Sequence, residues 1–171
     1  MKISLLKKCS KIKVLLTDVD GVLTDGGMYY SNKGDVMKKF HVRDGMGITL
    51  LRKNKIPTII VTKEKTEIIK RWAKKMKIEG VYDGVIEKES IIKKICDTFK
   101  VTKDEIAYIG DDINDIKLMK LVGLSATPRN ANKNAKQIAA FICKTKSGEG
   151  VLREIADLIL EVKFPKIKEF Y

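Results

Sequence analysis

Residues 14–22 read Val14-Leu15-Leu16-Thr17-Asp18-Val19-Asp20-Gly21-Val22, an apolar run that ends in two acids and a glycine. Such a run is a buried strand that delivers its acids to its carboxyl end. Working outward, Pro57-Thr58-Ile59-Ile60-Val61 and Ile106-Ala107-Tyr108-Ile109 read as two more buried strands, the second ending in Gly110-Asp111-Asp112. One helical pattern recurs around them. Ile68, Ile69, Trp72, Ala73 and Met76 share a face, as do Ile91, Ile92, Ile95, Cys96 and Phe99, and again Val151, Leu152, Ile155, Ala156 and Ile159. Each stripe has Lys and Glu opposite, as helices packed on a sheet require, so Trp72 and Met76 read as core. Met46, Ile48, Leu50 and Leu51 predict another helix ending near Asn54, and Thr102 with Glu105 has capping-box spacing. Short strands alternating with amphipathic helices predict an α/β fold, a central parallel sheet with helices on both faces. The β-prone stretch after Gly27, with Ser31-Asn32-Lys33-Gly34 at its centre, predicts a β-hairpin extension over about residues 25–42. His41 falls in that stretch between apolar neighbours, where a lone histidine packs rather than reacts. No repeat, linker or low-complexity segment interrupts residues 1–171, which predicts a single domain with a tail over about 162–171.

The composition narrows the function. With 171 residues, 44% apolar and 33% charged, the chain is globular rather than disordered. Its net charge of +13 allows a nucleic acid, a membrane surface or a small anionic substrate as partner. Only five of its 35 basic residues are arginine, however, and lysine is the poorer choice for bidentate readout of phosphates and bases. No nucleic-acid-binding motif accompanies the charge, so a basic nucleic-acid-binding module is the weaker reading. It predicts salt-steep binding to DNA or RNA, which a gel shift at physiological salt detects. Cys9, Cys96 and Cys143 are odd in number and far apart, which argues against a disulfide framework and for a reducing, cytoplasmic compartment. The longest apolar runs are about six residues, too short for a membrane span, and Lys7 and Lys8 break the opening stretch too early for a signal peptide.

The chemistry sits at two acidic clusters, residues 18–20 and 111–115. In open parallel sheets, ligands bind beyond the carboxyl ends of the strands. Carboxylates converging there repel one another unless a cation lies among them. Hard oxygen ligands in a partly hydrated site suit Mg²⁺, which also binds substrate phosphates. A single strand-end aspartate more often caps a turn, but two such clusters after two apolar runs point to a site.

Asp18-Val19-Asp20-Gly21-Val22, Thr62, Lys88 and Gly110-Asp111-Asp112-x-x-Asp115 resemble, in order, the four motifs of the haloacid dehalogenase superfamily of phosphatases. The resemblance implies a three-layer Rossmann-like fold and an aspartyl-phosphate mechanism. Asp18 is then the nucleophile and Asp20 the general acid and base. Thr62 and Lys88 hold the phosphoryl oxygens. Mg²⁺ lies at Asp18, Asp20 and Asp111, with Asp112 and Asp115 completing or orienting the shell. A receiver-like phosphoacceptor is the rival from another class. It carries its acids early and has nothing like the 110–115 motif late. Only 41 residues separate Asp20 from Thr62 and 25 separate Thr62 from Lys88, too few in either interval for a cap domain.

The stretches from Asp18 to Gly26, Phe40 to Gly47 and Ser147 to Glu154 resemble more narrowly the phosphatases of 2-keto-3-deoxy sugar acids. That resemblance runs from about Ile12 to Glu161. It implies a small anionic sugar-acid phosphate as substrate and a homotetramer built by the hairpin, in which neighbouring subunits close each other's sites. Met28, Tyr29 and Tyr30 are then a packing surface, or else an ordinary strand pair in the core. Arg43 is the candidate for the substrate carboxylate, unless it pairs with Asp44. Gly45 and Gly47 would turn the chain near ligand. Gly148 and Gly150 would lend flexibility, with Arg153 anchoring that segment or meeting substrate. Phosphatases of the eight-carbon acid (KDO 8-phosphate) carry Thr-Gly-Arg at the second motif, whereas this chain has Thr62-Lys63-Glu64, followed by Arg71. That difference favours a nine-carbon substrate, KDN or N-acylneuraminate 9-phosphate, with KDO 8-phosphate as the alternative.

Overall fold

The computed structural model describes residues 3–165. Six parallel strands form one sheet: β1 (Val14–Thr17), β4 (Thr58–Val61), β5 (Gly80–Tyr82), β6 (Ile106–Ile109), β7 (Leu124–Thr127) and β8 (Phe141–Ile142). Their order is β5-β4-β1-β6-β7-β8, so β1 lies between β4 and β6. Two more strands, β2 (Tyr29–Ser31) and β3 (Gly34–Met37), pair antiparallel as a separate hairpin. The helices are α1 (Ile3–Lys11), α2 (Val42–Lys53), α3 (Glu67–Met76), α4 (Ile92–Phe99), α5 (Ile116–Leu121), α6 (Lys133–Ile138) and α7 (Val151–Lys163). The part of the expected C-terminal tail beyond residue 165 lies outside the described residues.

The two-residue period of the strands sorts their side chains onto two faces. Leu15, Ile60, Ala107 and Ile109 join a core with residues of α1, α2, α3 and α7. Val14, Leu16, Ile59, Val61, Ile106 and Tyr108 join a second core under α4, α5 and α6. Strands covered on both faces read as unbroken apolar runs, which is why β1, β4 and β6 stand out in the sequence. The α3 and α4 stripes lie where periodicity predicts. The α3 helix is capped by the Thr66 hydroxyl and closes on Lys77 in the left-handed region. Thr102 and Glu105 form the expected capping box, on a 3₁₀ turn just before β6.

The hairpin turns at Asn32-Lys33, with Ser31 opposite Gly34, whose φ of 104° favours glycine. An isolated bridge between Thr24 and Phe40 closes its base. Met28, Tyr30, Val36 and Met37 are all more than half exposed, so this is not a strand pair in the core. His41 is not in a strand either. It caps α2, its Nδ1 accepting from the Arg43 backbone N–H at 3.3 Å. Between β1 and β4 the chain builds only the hairpin and α2, and between Thr62 and Lys88 only α3 and β5.

Candidate active site

The middle strands end together. Asp18 follows β1, and its backbone N–H donates to the Ile109 carbonyl at 2.9 Å, which brings the ends of β1 and β6 into register. Gly21, with φ of 84°, folds the chain back so tightly that a Cβ there would overlap the Asp111 carboxylate. Thr62 follows β4, is buried, and accepts from the Glu64 backbone N–H at 3.2 Å. Lys88 opens the 3₁₀ turn before α4 and is fully buried.

At the centre, the Lys88 ammonium bridges two carboxylates, Asp18 Oδ2 at 2.7 Å and Asp115 Oδ1 at 2.6 Å. Asp115 Oδ1 also accepts from the Tyr108 hydroxyl at 2.6 Å, and Oδ2 accepts from the backbone N–H groups of Asp111 and Asp112. Asp115 is therefore saturated with donors and holds the 110–112 turn in place. Asp112 is exposed and caps the following turn through Ile113. Asp20 Oδ1 accepts from Thr24 Oγ1 at 3.1 Å and from Lys38 Nζ at 2.8 Å.

Carboxylate oxygens of Asp18, Asp111 and Asp115 lie within 4.8 Å of one another. Burial raises the Asp18 carboxyl to about 7, with Lys88 opposing and Asp115 adding to the rise. Asp111 is pushed up to about 8 by burial and by Asp18, Asp115 and Asp112. Burial alone would lower Lys88, but Asp18 and Asp115 outweigh it and hold the ammonium above its ordinary value. A single lysine thus leaves the cluster short of positive charge. Hard oxygen donors that protonate readily without a cation fit Mg²⁺.

A carboxylate whose folded value is raised favours the protonated fold, so its stabilisation is lost as pH rises toward 7 or 8. Below those values protons compete with the cation. The apparent Kd for Mg²⁺ is expected to fall roughly tenfold or more between about pH 6 and 7 and to level off above about pH 8. Calorimetric titration in buffers of different ionisation enthalpy reads both the affinity and the protons released.

A family model for haloacid dehalogenase-like hydrolases matches residues 52–155. The 3-deoxy-D-manno-octulosonate 8-phosphate phosphatase KdsC of Yersinia pestis is 34% identical over 155 residues, 91% of this chain and 83% of that protein. The chain belongs to the haloacid dehalogenase-like hydrolases. Within them it is a phosphoric monoester hydrolase. The Haemophilus influenzae KdsC is also 34% identical, over 92% of this chain and 87% of that protein. A crystal structure of the Moraxella catarrhalis 3-deoxy-D-manno-octulosonate 8-phosphate phosphatase, in complex with magnesium, phosphate and KDO, superposes with a TM-score of 0.91. It is 28% identical, and the match covers 95% of this chain and 94% of that one.

In this haloacid dehalogenase-like hydrolase, among the described residues, Arg43, Gly45, Glu64, Arg71 and Arg153 make no hydrogen bond or ion pair to Asp18, Asp111 or Asp115. Arg43 is exposed on the first turn of α2 and makes no ion pair with Asp44. Asp44 is buried, accepts from the Arg153 backbone N–H at 3.0 Å and so ties α2 to the start of α7. The Arg153 side chain pairs with Asp157, one turn on within α7, at 2.7 Å. Arg43 and Arg153 line a groove of about 1180 Å³ beside α7, and none of the cluster's carboxylates reaches it. Gly45 and Gly47 lie inside α2 and turn nothing. A Cβ at Gly45 would meet Met76 Sδ at 2.6 Å and one at Gly47 would meet the Arg153 Cα at 3.0 Å, so both serve close helix packing. Gly148 is an αL position in the 144–150 loop, which it seats against Val22 and Asp25. Glu64 is exposed at the end of β4, while Arg71 lies on α3 beside a groove shared with Lys38, Phe40 and Trp72. Two residues bonded to the site's carboxylates have no sequence signal of their own: Tyr108 reads as an apolar strand residue, and no motif marks Lys38.

Proposed function

We propose that this enzyme hydrolyses the terminal phosphate of a 2-keto-3-deoxy sugar acid, with KDO 8-phosphate first among the candidates. The buried Asp18–Lys88–Asp115 arrangement beside Asp111 carries the chemical part. The substrate rests on the curated relatives, which match more than 90% of this chain and carry that activity in their names. Asp18 attacks phosphorus and becomes the aspartyl-phosphate. Asp20 gives its proton to the departing sugar oxygen, then takes one from the water that cleaves the intermediate. Lys88 holds Asp18 in place and offsets charge on the phosphoryl oxygens, to which the Thr62 hydroxyl donates. The carboxylates of Asp18 and Asp111 and the backbone carbonyl of Asp20 would hold Mg²⁺, which supplies positive charge to the transferring group. Asp115 positions that set, and Asp112 caps the turn that carries it.

The residues form one phosphatase unit without a cap. Exposed Met28, Tyr30, Val36 and Met37 on the hairpin support assembly into a homotetramer. Among the described residues, no helix is long and apolar enough to cross a membrane. Three unpaired thiols suit a cytoplasmic location.

A second reading, the nine-carbon 9-phosphates, is favoured by Glu64. Its carboxylate can accept hydrogen bonds from sugar hydroxyls where an arginine only donates. Measuring kcat/KM side by side on KDO 8-phosphate and a nine-carbon 9-phosphate decides between them. A preference for KDO 8-phosphate supports the first reading, and the reverse preference overturns it. If Glu64 faces the sugar, Glu64→Arg is expected to move the ratio about tenfold toward the eight-carbon substrate.

A further inference from the structure

The hairpin brings a lysine to the acid. Lys38 follows β3, two residues before the Phe40 bridge that closes the hairpin on Thr24. Its side chain is only 9% exposed and ends 2.8 Å from Asp20 Oδ1. The next residue, Lys39, points the other way, 56% exposed and 3.8 Å from Asp25. A long flexible stem ordered out of solvent on one carboxylate differs from the solvated lysines of the helix faces. Thr24 Oγ1 donates to the same oxygen, at 3.1 Å. The other oxygen, Oδ2, is buried and has no hydrogen-bond partner among the described residues.

Two donors on Oδ1 and none on Oδ2 fix the carboxyl's rotation and leave one oxygen to carry a proton. From this we propose that Lys38 is a positioning residue, holding the Asp20 carboxyl in the orientation from which it protonates the oxygen leaving phosphorus. The inference rests on the phosphatase reading above. In the step concerned, the Asp18–phosphorus bond forms as the phosphorus–sugar oxygen bond breaks. The Asp20 proton passes to that departing oxygen, which leaves as the sugar hydroxyl. Misplacing a catalytic group by about 1 Å costs on the order of a hundredfold in rate. The loss falls on leaving groups that need the proton. It also ties the acid to the hairpin, since the strand that leads to Lys38 carries the exposed Val36 and Met37.

The test compares kcat/KM on a simple alkyl phosphate, whose alkoxide cannot depart unprotonated, with that on p-nitrophenyl phosphate, whose phenolate can. Neither carries a carboxylate. In Lys38→Met the alkyl value is expected to fall at least about tenfold further than the aryl value, and Lys38→Arg to recover most of the difference. Equal losses on both substrates, whether from poor folding or from weaker phosphate binding, overturn the assignment. So does a change confined to KM. Thermal melting of both variants identifies a folding cause. If the wild-type enzyme releases phosphate from neither of these substrates nor from KDO 8-phosphate, the phosphatase reading itself fails, a result distinct from an active enzyme whose ratio does not move.

Discussion

Asp18→Asn is expected to abolish phosphate release, lowering kcat by a factor on the order of 10⁴ or more, while the protein melts no earlier than wild type. Asparagine keeps the shape of the side chain but cannot attack phosphorus. It also removes a buried charge that the fold tolerates poorly, since burial and Asp115 hold the Asp18 carboxyl near 7. Activity and stability should therefore separate. Steady-state kinetics with thermal melting check both, and measurable turnover by Asp18→Asn would place the nucleophile elsewhere.

Lys88→Met has the largest expected effect on stability. The ammonium is fully buried and is the positive partner of both Asp18 and Asp115. Removing it strands two buried carboxylates, and breaking a buried pair in this way costs about 3–5 kcal/mol. Phosphoryl transfer should slow by roughly 10²–10³ as well, the range for losing one preorganised donor. Adding Asp115→Asn to Lys88→Met removes one stranded charge. The double variant should regain part of the stability in a denaturant titration and none of the activity. If the single variant is as stable as wild type, Lys88 is not the cluster's counter-ion.

Much of the fold was legible because β1, β4 and β6, covered on both faces, can be written only as unbroken apolar runs. Their terminal acids then stand at the sheet's carboxyl edge without further information. The strands β5, β7 and β8 span two to four residues, and β7, Leu124-Ser125-Ala126-Thr127, has too little apolar character to be seen locally. Helix α1 carries no readable stripe because its one buried side chain, Cys9, stands among three lysines. In the site, Asp18, Asp20 and Asp111 were local signals, whereas Lys88, one lysine among many, was marked only by the family pattern. Tyr108 and Lys38 depend on distant pairing. Tyr108 lies on the α4–α6 face with Val14 and Leu16, which is how its hydroxyl reaches Asp115. Lys38 meets Asp20 only because the hairpin returns to Thr24. Gly45 and Gly47 read as turns by composition and proved to be contact points between helices.

The most direct test of the chemistry is an acid quench of Asp20→Asn during turnover of p-nitrophenyl phosphate, whose phenolate departs without a proton, with Mg²⁺ present, followed by mass spectrometry of its peptides. Without the base that activates water, the intermediate should accumulate. The expected result is one phosphoryl group on the peptide containing Asp18, absent when EDTA precedes the substrate. A phosphoryl group on another residue, or labelling that survives EDTA, would contradict nucleophilic attack by Asp18 at a Mg²⁺ site.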